Sequence, residues 1–148
     1  MELALFERIL AAAILGGLLG LERSIAGKHA GMRTYALVSM GSALFVGIGV
    51  IASFQLSLFS GINPLQIAGN VVLGVGFIGA GLAVFRGEHP VELTTASGLW
   101  VAAGIGMACG FGLYLLAAGT ALLGMVIFTV IARLEYHISK RFGTRHEG

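Results

Sequence analysis

Long apolar runs alternate with short charged stretches along this chain, and only the first run carries charge of its own, the pair Glu7-Arg8 one turn inside its start. Five runs stand out: about Leu3 to Leu21, Tyr35 to Phe54, Gln66 to Phe85, Thr95 to Gly110, and Leu113 to Ala132. Each is apolar on every side, and most reach the ~20 residues that cross a ~30 Å hydrocarbon core at a rise of ~1.5 Å per residue. Barrel strands would instead alternate over segments of ~10 residues. The pattern predicts an all-α integral membrane fold, a compact Gly-rich bundle of about five transmembrane helices. Residues 1–132 form the membrane domain, and 133–148 form a short basic cytoplasmic tail.

The connections orient the bundle. Arg23, Lys28 and Arg33 follow the first span, Arg86 follows the third, and Arg133, Lys140, Arg141 and Arg145 follow the fifth. The segments from Phe54 to Gln66 and from Gly110 to Gly112 carry no charge. Positive residues stay inside, so the N-terminus is expected outside and the C-terminus in the cytoplasm. Every loop agrees with five spans, and a count of four or six would put a basic loop on the wrong side. The tail reads as an anchor on anionic head groups.

Composition agrees. Charged residues make up 11% of the 148, against about 25% in an ordinary soluble domain. The mean hydropathy is +0.93. A net charge of +2 reports the inner face of a membrane protein and not a nucleic-acid partner. The single cysteine, Cys109, allows neither an intrachain disulfide nor a Cys-based metal site. Glu2, Glu7 and Arg8 replace the basic leader of a signal peptide.

Glycine changes the picture most, at 24 of 148 residues. Gly16 with Gly20, and Gly106 with Gly110, form GxxxG pairs that let helix backbones approach closely. Either a tight bundle or a homodimer through Gly-rich faces would use them. The run from Gly74 to Gly81 matches GxGxxG. It lies inside a span and lacks the strand and turn of a dinucleotide site, so it reads as close packing or a local break in the third span. Gln66 and Asn70 share a face of that span with Gly74, Phe77 and Gly81. Amides in membrane helices usually turn inward and bond to a neighbour; holding a substrate or ion is the other reading.

The remaining chemistry gathers at the cytoplasmic helix ends. Glu22 is expected to pair with Arg23 or Arg33, and Thr94 or Thr95 to cap the fourth helix. The N–H groups of that helix start, with Arg86 nearby, would favour an anion. The candidate pocket for a ligand or partner is Glu22, Arg23, Arg33, Thr34, Asn70, Arg86, Thr94, Thr95 and Trp100. A plain rim of ion pairs and caps is the competing reading. His29, His89, His137 and His146 show no ligand spacing, and the chain has no Asp. No catalytic residue, metal site or cofactor is predicted. Glu88 and Glu92 are separated by Pro90, which breaks any helix that would pair them.

Gly20-Leu-Glu-Arg23, Ala30-Gly-Met-Arg-Thr34, Gly41-Ser-Ala-Leu-Phe45, Gly76-Phe-Ile-Gly-Ala-Gly81, Arg86-Gly87, Leu93-Thr-Thr-Ala-Ser97 with Trp100, and Ala103-Gly-Ile-Gly106 occur in one order. Together they resemble the MgtC/SapB family of bacterial membrane proteins over about Gly16 to Gly112. The resemblance implies about five spans in the bacterial cytoplasmic (inner) membrane and a link to growth at low magnesium or survival in host cells. Many members add a soluble ACT-like C-terminal domain, and this chain is expected to be a short member without it. Met32 stands where Leu is common, and Ser24 where Gln is common; neither is expected to alter the fold. The expected function is regulatory, through a membrane protein partner in magnesium or envelope stress. A small ion or solute transporter, possible as a dimer, is the alternative. An enzyme acting on lipid head groups is a third, disfavoured for want of a nucleophile and base.

Overall fold

The computed structural model describes residues 1–55, 63–84 and 93–142. Its elements are α1 (Glu2–Ile25), α2 (Met32–Gln55), α3 (Pro64–Val84), α4 (Leu93–Gly110) and α5 (Tyr114–Val126). A single π-helical turn at Ile127–Ile131 joins α5 to α6 (Ala132–Phe142). Among the described residues, five stretches are long and apolar enough to cross a membrane, the last running from Tyr114 to Arg141. Hydrocarbon offers no water to the backbone, so apolar runs must close their own hydrogen bonds, and helices do so.

α1 to α4 each begin one to three residues before their apolar runs and α1 ends four residues beyond its own, while α4 ends with its run at Gly110, and local capping sets several of these ends. Asn63 accepts from the Leu65 N–H through its side chain (3.0 Å) and from the Gln66 N–H through its carbonyl (3.0 Å). Pro64, which has no N–H to leave unpaired, takes the first helical position of α3. α1 ends in a Schellman turn. Gly27 adopts φ +67°, Lys28 N–H donates to the Arg23 carbonyl (2.9 Å), and Gly27 N–H to that of Ser24 (3.2 Å). α4 ends the same way. Gly112 has φ +81°, with Leu113 N–H on Ala108 O (2.8 Å) and Gly112 N–H on Cys109 O (2.8 Å).

α2 and α4 form the centre. α1 packs on both, α5 on α1 and α4, and α3 only on α2 and α4. Half of the α4 span is buried, against 6% of the α3 span. The core residues are mostly small, with Tyr35, Leu19, Leu99 and Ile105 as the largest side chains that are fully buried. Both GxxxG pairs are used within the chain. A Cβ on Gly16 would lie 2.5 Å from Ser39 Cβ, and one on Gly20 2.7 Å from Tyr35 Cβ. A Cβ on Gly110 would lie 2.9 Å from the Ala43 carbonyl oxygen. So α2 lies in glycine grooves of α1 and α4, and those faces are closed to a second copy.

Two expectations about the third span need correcting. α3 is unbroken through Gly74–Gly81, and the irregular turn lies in the fifth span instead. Gln66 and Asn70 are exposed and make no hydrogen bond to another described helix. The reason is position: α3 sits outside the α1–α2–α4 core, so its amide face points away from it.

The uncharged connection after α4 acquires a charge in three dimensions. Arg8 reaches from the first turns of α1 and donates to the Gly110 carbonyl (2.8 Å). A cation at a helix C-terminus satisfies an end carbonyl and opposes the negative pole of the helix. Arg8→Met, which keeps the apolar stem, is expected to lower stability by about 1–2 kcal/mol. Thermal unfolding of the purified protein in mild detergent measures it; an unchanged midpoint would show that the bond contributes nothing.

Candidate functional site

The last turn of α1, the first turns of α2 and α4, and the π turn meet at one end of the bundle. Because α1 continues to Ile25, Glu22 and Arg23 are helical residues and not loop residues. Residues one apart do not face each other on a helix, so Arg23 points into the bundle while Glu22 stays at its edge. The Arg23 side chain is 6% exposed and that of Glu22 21%. The long arginine stem still lets Nε donate to Glu22 Oε2 at 2.6 Å.

The buried guanidinium lies over the Phe128 ring, 4.1 Å from its centroid. A desolvated cation on an aromatic face contributes up to about 2 kcal/mol. Phe128 meets Tyr35 edge to face, with centroids 6.4 Å apart and planes at 75°. Tyr35, fully buried, donates its hydroxyl to the Thr95 carbonyl at 3.1 Å. Gly98 makes room for both rings, since a Cβ there would meet the Tyr35 hydroxyl and come within 2.6 Å of Phe128 Cζ. One chain of contacts, Glu22–Arg23–Phe128–Tyr35–Thr95, thus ties four segments together. The π turn carries Phe128 into it; such turns are often found at functional sites.

The nine candidate residues divide. Glu22, Arg23 and, through its carbonyl, Thr95 belong to this chain of contacts. Arg33 is exposed and Thr34 half-buried, and it is Arg23 that takes the Glu22 carboxylate. α4 already begins at Leu93, so Thr94 and Thr95 sit in its first turn and not before it, with Thr94 exposed and Thr95 buried. Neither threonine therefore stands at the N-cap position before the helix. Asn70 lines a separate lateral groove of about 610 Å³ between α2 and α3, shared with Ser42 and Gly74. Trp100 is 56% exposed on the outer face of α4. Arg86 lies outside the described residues.

Tyr35 and Phe128 were not singled out from sequence. Tyr35 carried a signal, a hydroxyl-bearing ring directly after Ala30-Gly-Met-Arg-Thr34; Phe128 is one aromatic in an apolar run and carried none. Ser24 also acts at this end: its Oγ accepts the Met32 N–H (2.8 Å), so α1 caps the start of α2. Tyr35→Phe leaves the Thr95 carbonyl without this donor and is expected to cost about 1–2 kcal/mol. Chemical unfolding against the parent protein tests this; equal stability would mean that the bond is not felt.

Among the described residues, no group of three His, Cys, Asp or Glu side chains could hold a metal ion. Residues 9–137 match the MgtC family. The chain is 41% identical over 136 residues to the Escherichia coli protein named "Putative magnesium transporter YhiD", covering 90% of this chain and 63% of that one. It is 39% identical over 142 residues to Protein SrpB of Synechococcus elongatus, covering 90% and 78%. It is 43% identical over 104 residues to Protein MgtC of Salmonella typhimurium, covering 70% and 42%. The chain therefore spans less than two thirds of the YhiD and MgtC proteins. No solved structure matches it.

Proposed function

Because the chain belongs to the MgtC family of multi-pass membrane proteins, we propose that it is a regulatory protein of the bacterial inner membrane. It binds another membrane component in the response to magnesium or envelope stress, and it is not an enzyme. In this reading the Glu22 end faces the cytoplasm, as the basic loops require.

The observation that supports binding is α3. Its span is 6% buried, and Gly69, Gly74, Gly76 and Gly81 would each take a Cβ into open space. Asn70 is exposed on the same helix. Small residues and an amide are what membrane helices use to associate, and an uncovered amide in hydrocarbon is costly. A partner helix on this face satisfies both. The Arg23 cluster, by contrast, spends its charge on internal contacts and supports the bundle.

The test is photocrosslinking in native membranes from a residue analogue placed at Phe77, which is 83% exposed. A defined protein adduct, lost in Asn70→Leu with Gly74→Leu, supports the reading; adducts to lipid alone overturn it. A second reading, transport, is favoured by the name of the Escherichia coli relative and by the groove between α2 and α3 with Ser42 and Asn70 on its wall. Magnesium flux into liposomes carrying the folded protein, abolished by Asn70→Leu, would favour it over regulation.

A further inference from the structure

The π turn also borders a cleft that the Arg23 cluster leaves open. The cleft, about 490 Å³, lies between the last turn of α1 and the π turn with the start of α6. That volume falls within the ~300–1,000 Å³ of small-molecule sites. α1 contributes Glu22 and α6 contributes Arg133, while Leu21, Ile25 and Met125 supply apolar surface. Glu22 gives one oxygen to Arg23, and its second keeps acceptor capacity. Arg133 is exposed and forms no ion pair with a described residue.

Depth narrows the occupant. Glu22 lies about 30 Å along α1 from Glu2, and Arg133 roughly 28 Å along the fifth span from Tyr114, each close to one hydrocarbon thickness. The cleft is thus at head-group level. Charge narrows it further. A simple anion would meet the Glu22 carboxylate and a simple cation the Arg133 guanidinium, whereas a ligand carrying both charges complements both. The apolar wall suits the glycerol and the first methylenes of acyl chains.

We propose that this cleft binds a zwitterionic phospholipid with a primary ammonium, of the phosphatidylethanolamine type. The phosphate accepts from Arg133 as a charge-assisted hydrogen bond, and the ammonium donates to Glu22. A quaternary ammonium cannot donate, and a glycerol head group carries no cation, so both bind less well.

Native mass spectrometry of the full chain, released from nanodiscs with equal phosphatidylethanolamine, phosphatidylcholine and phosphatidylglycerol, tests this. Phosphatidylethanolamine is expected to be retained about tenfold over the others, the equivalent of ~1.4 kcal/mol. Arg133→Gln is expected to remove most of that retention while leaving the thermal midpoint unchanged, because Arg133 is exposed. Glu22→Gln is expected to erase the preference for ethanolamine over choline. Preferential retention of phosphatidylglycerol, equal retention of all three, no retained lipid, or a preference unchanged by Arg133→Gln would each overturn the proposal.

Discussion

Gly106→Ala is expected to lower the stability of the bundle by about 3 kcal/mol, the upper range for overpacking a filled core. A Cβ at Gly106 would fall onto the backbone of Ser39, meeting its carbonyl oxygen, with the carbonyl carbon 2.7 Å away. Backbone cannot rotate aside as a side chain can, so α2 and α4 must separate. These are the two central helices, and their separation disturbs contacts with α1 and α3 as well. Gly104 provides the control. It lies on the same helix, but a Cβ there meets nothing within 4 Å. Gly104→Ala is expected to be neutral or to stabilise by up to ~1 kcal/mol, since alanine is the better helix former. Unfolding midpoints in mixed detergent micelles compare the two. If they shift alike, the glycine groove is not what sets the approach of these helices.

Arg23→Met is expected to cost about 3 kcal/mol, because it removes both a charge-assisted hydrogen bond and a desolvated cation–ring contact at once. Methionine replaces much of the stem but neither the Glu22 bond nor the cation on the Phe128 ring. Glu22→Gln alone leaves the buried guanidinium without its counter-charge, though still stacked on Phe128, and is expected to cost less. The double variant removes charge from both sides. It is expected to be more stable than the sum of the single losses predicts, by ~1–3 kcal/mol of coupling. Additive losses in this cycle would mean that Glu22 and Arg23 act separately.

Much of this end of the molecule could be read from residue order, for a physical reason. Charges are excluded from hydrocarbon, so they collect at span ends, and Glu22, Arg23, Arg33 and Thr95 were placed together on that ground. What order does not contain is the direction in which each side chain points. Arg23, next to Glu22 in the chain, and Arg33, at the start of the following helix, are equally basic and lie at the same end. Only the continuation of α1 to Ile25 and its Schellman turn at Gly27 turn Arg23 inward and leave Arg33 exposed. The third span misled for the converse reason. Its glycines and amides resembled a packed, breakable helix, yet the core had already been filled by the glycines of α1 and α4.

The sequence by itself determined that the chain is a membrane bundle of five apolar helices, its family, and the end at which its charge gathers. Those follow from the cost of polar groups in a bilayer, which acts residue by residue. The tertiary structure decided which glycines are filled and which stay open, that Arg8 caps the distant end of α4, and that Phe128 on a π turn completes the Arg23 cluster. Each of these joins residues far apart in the chain at distances of a few ångströms, and local hydrophobicity carries no record of such meetings.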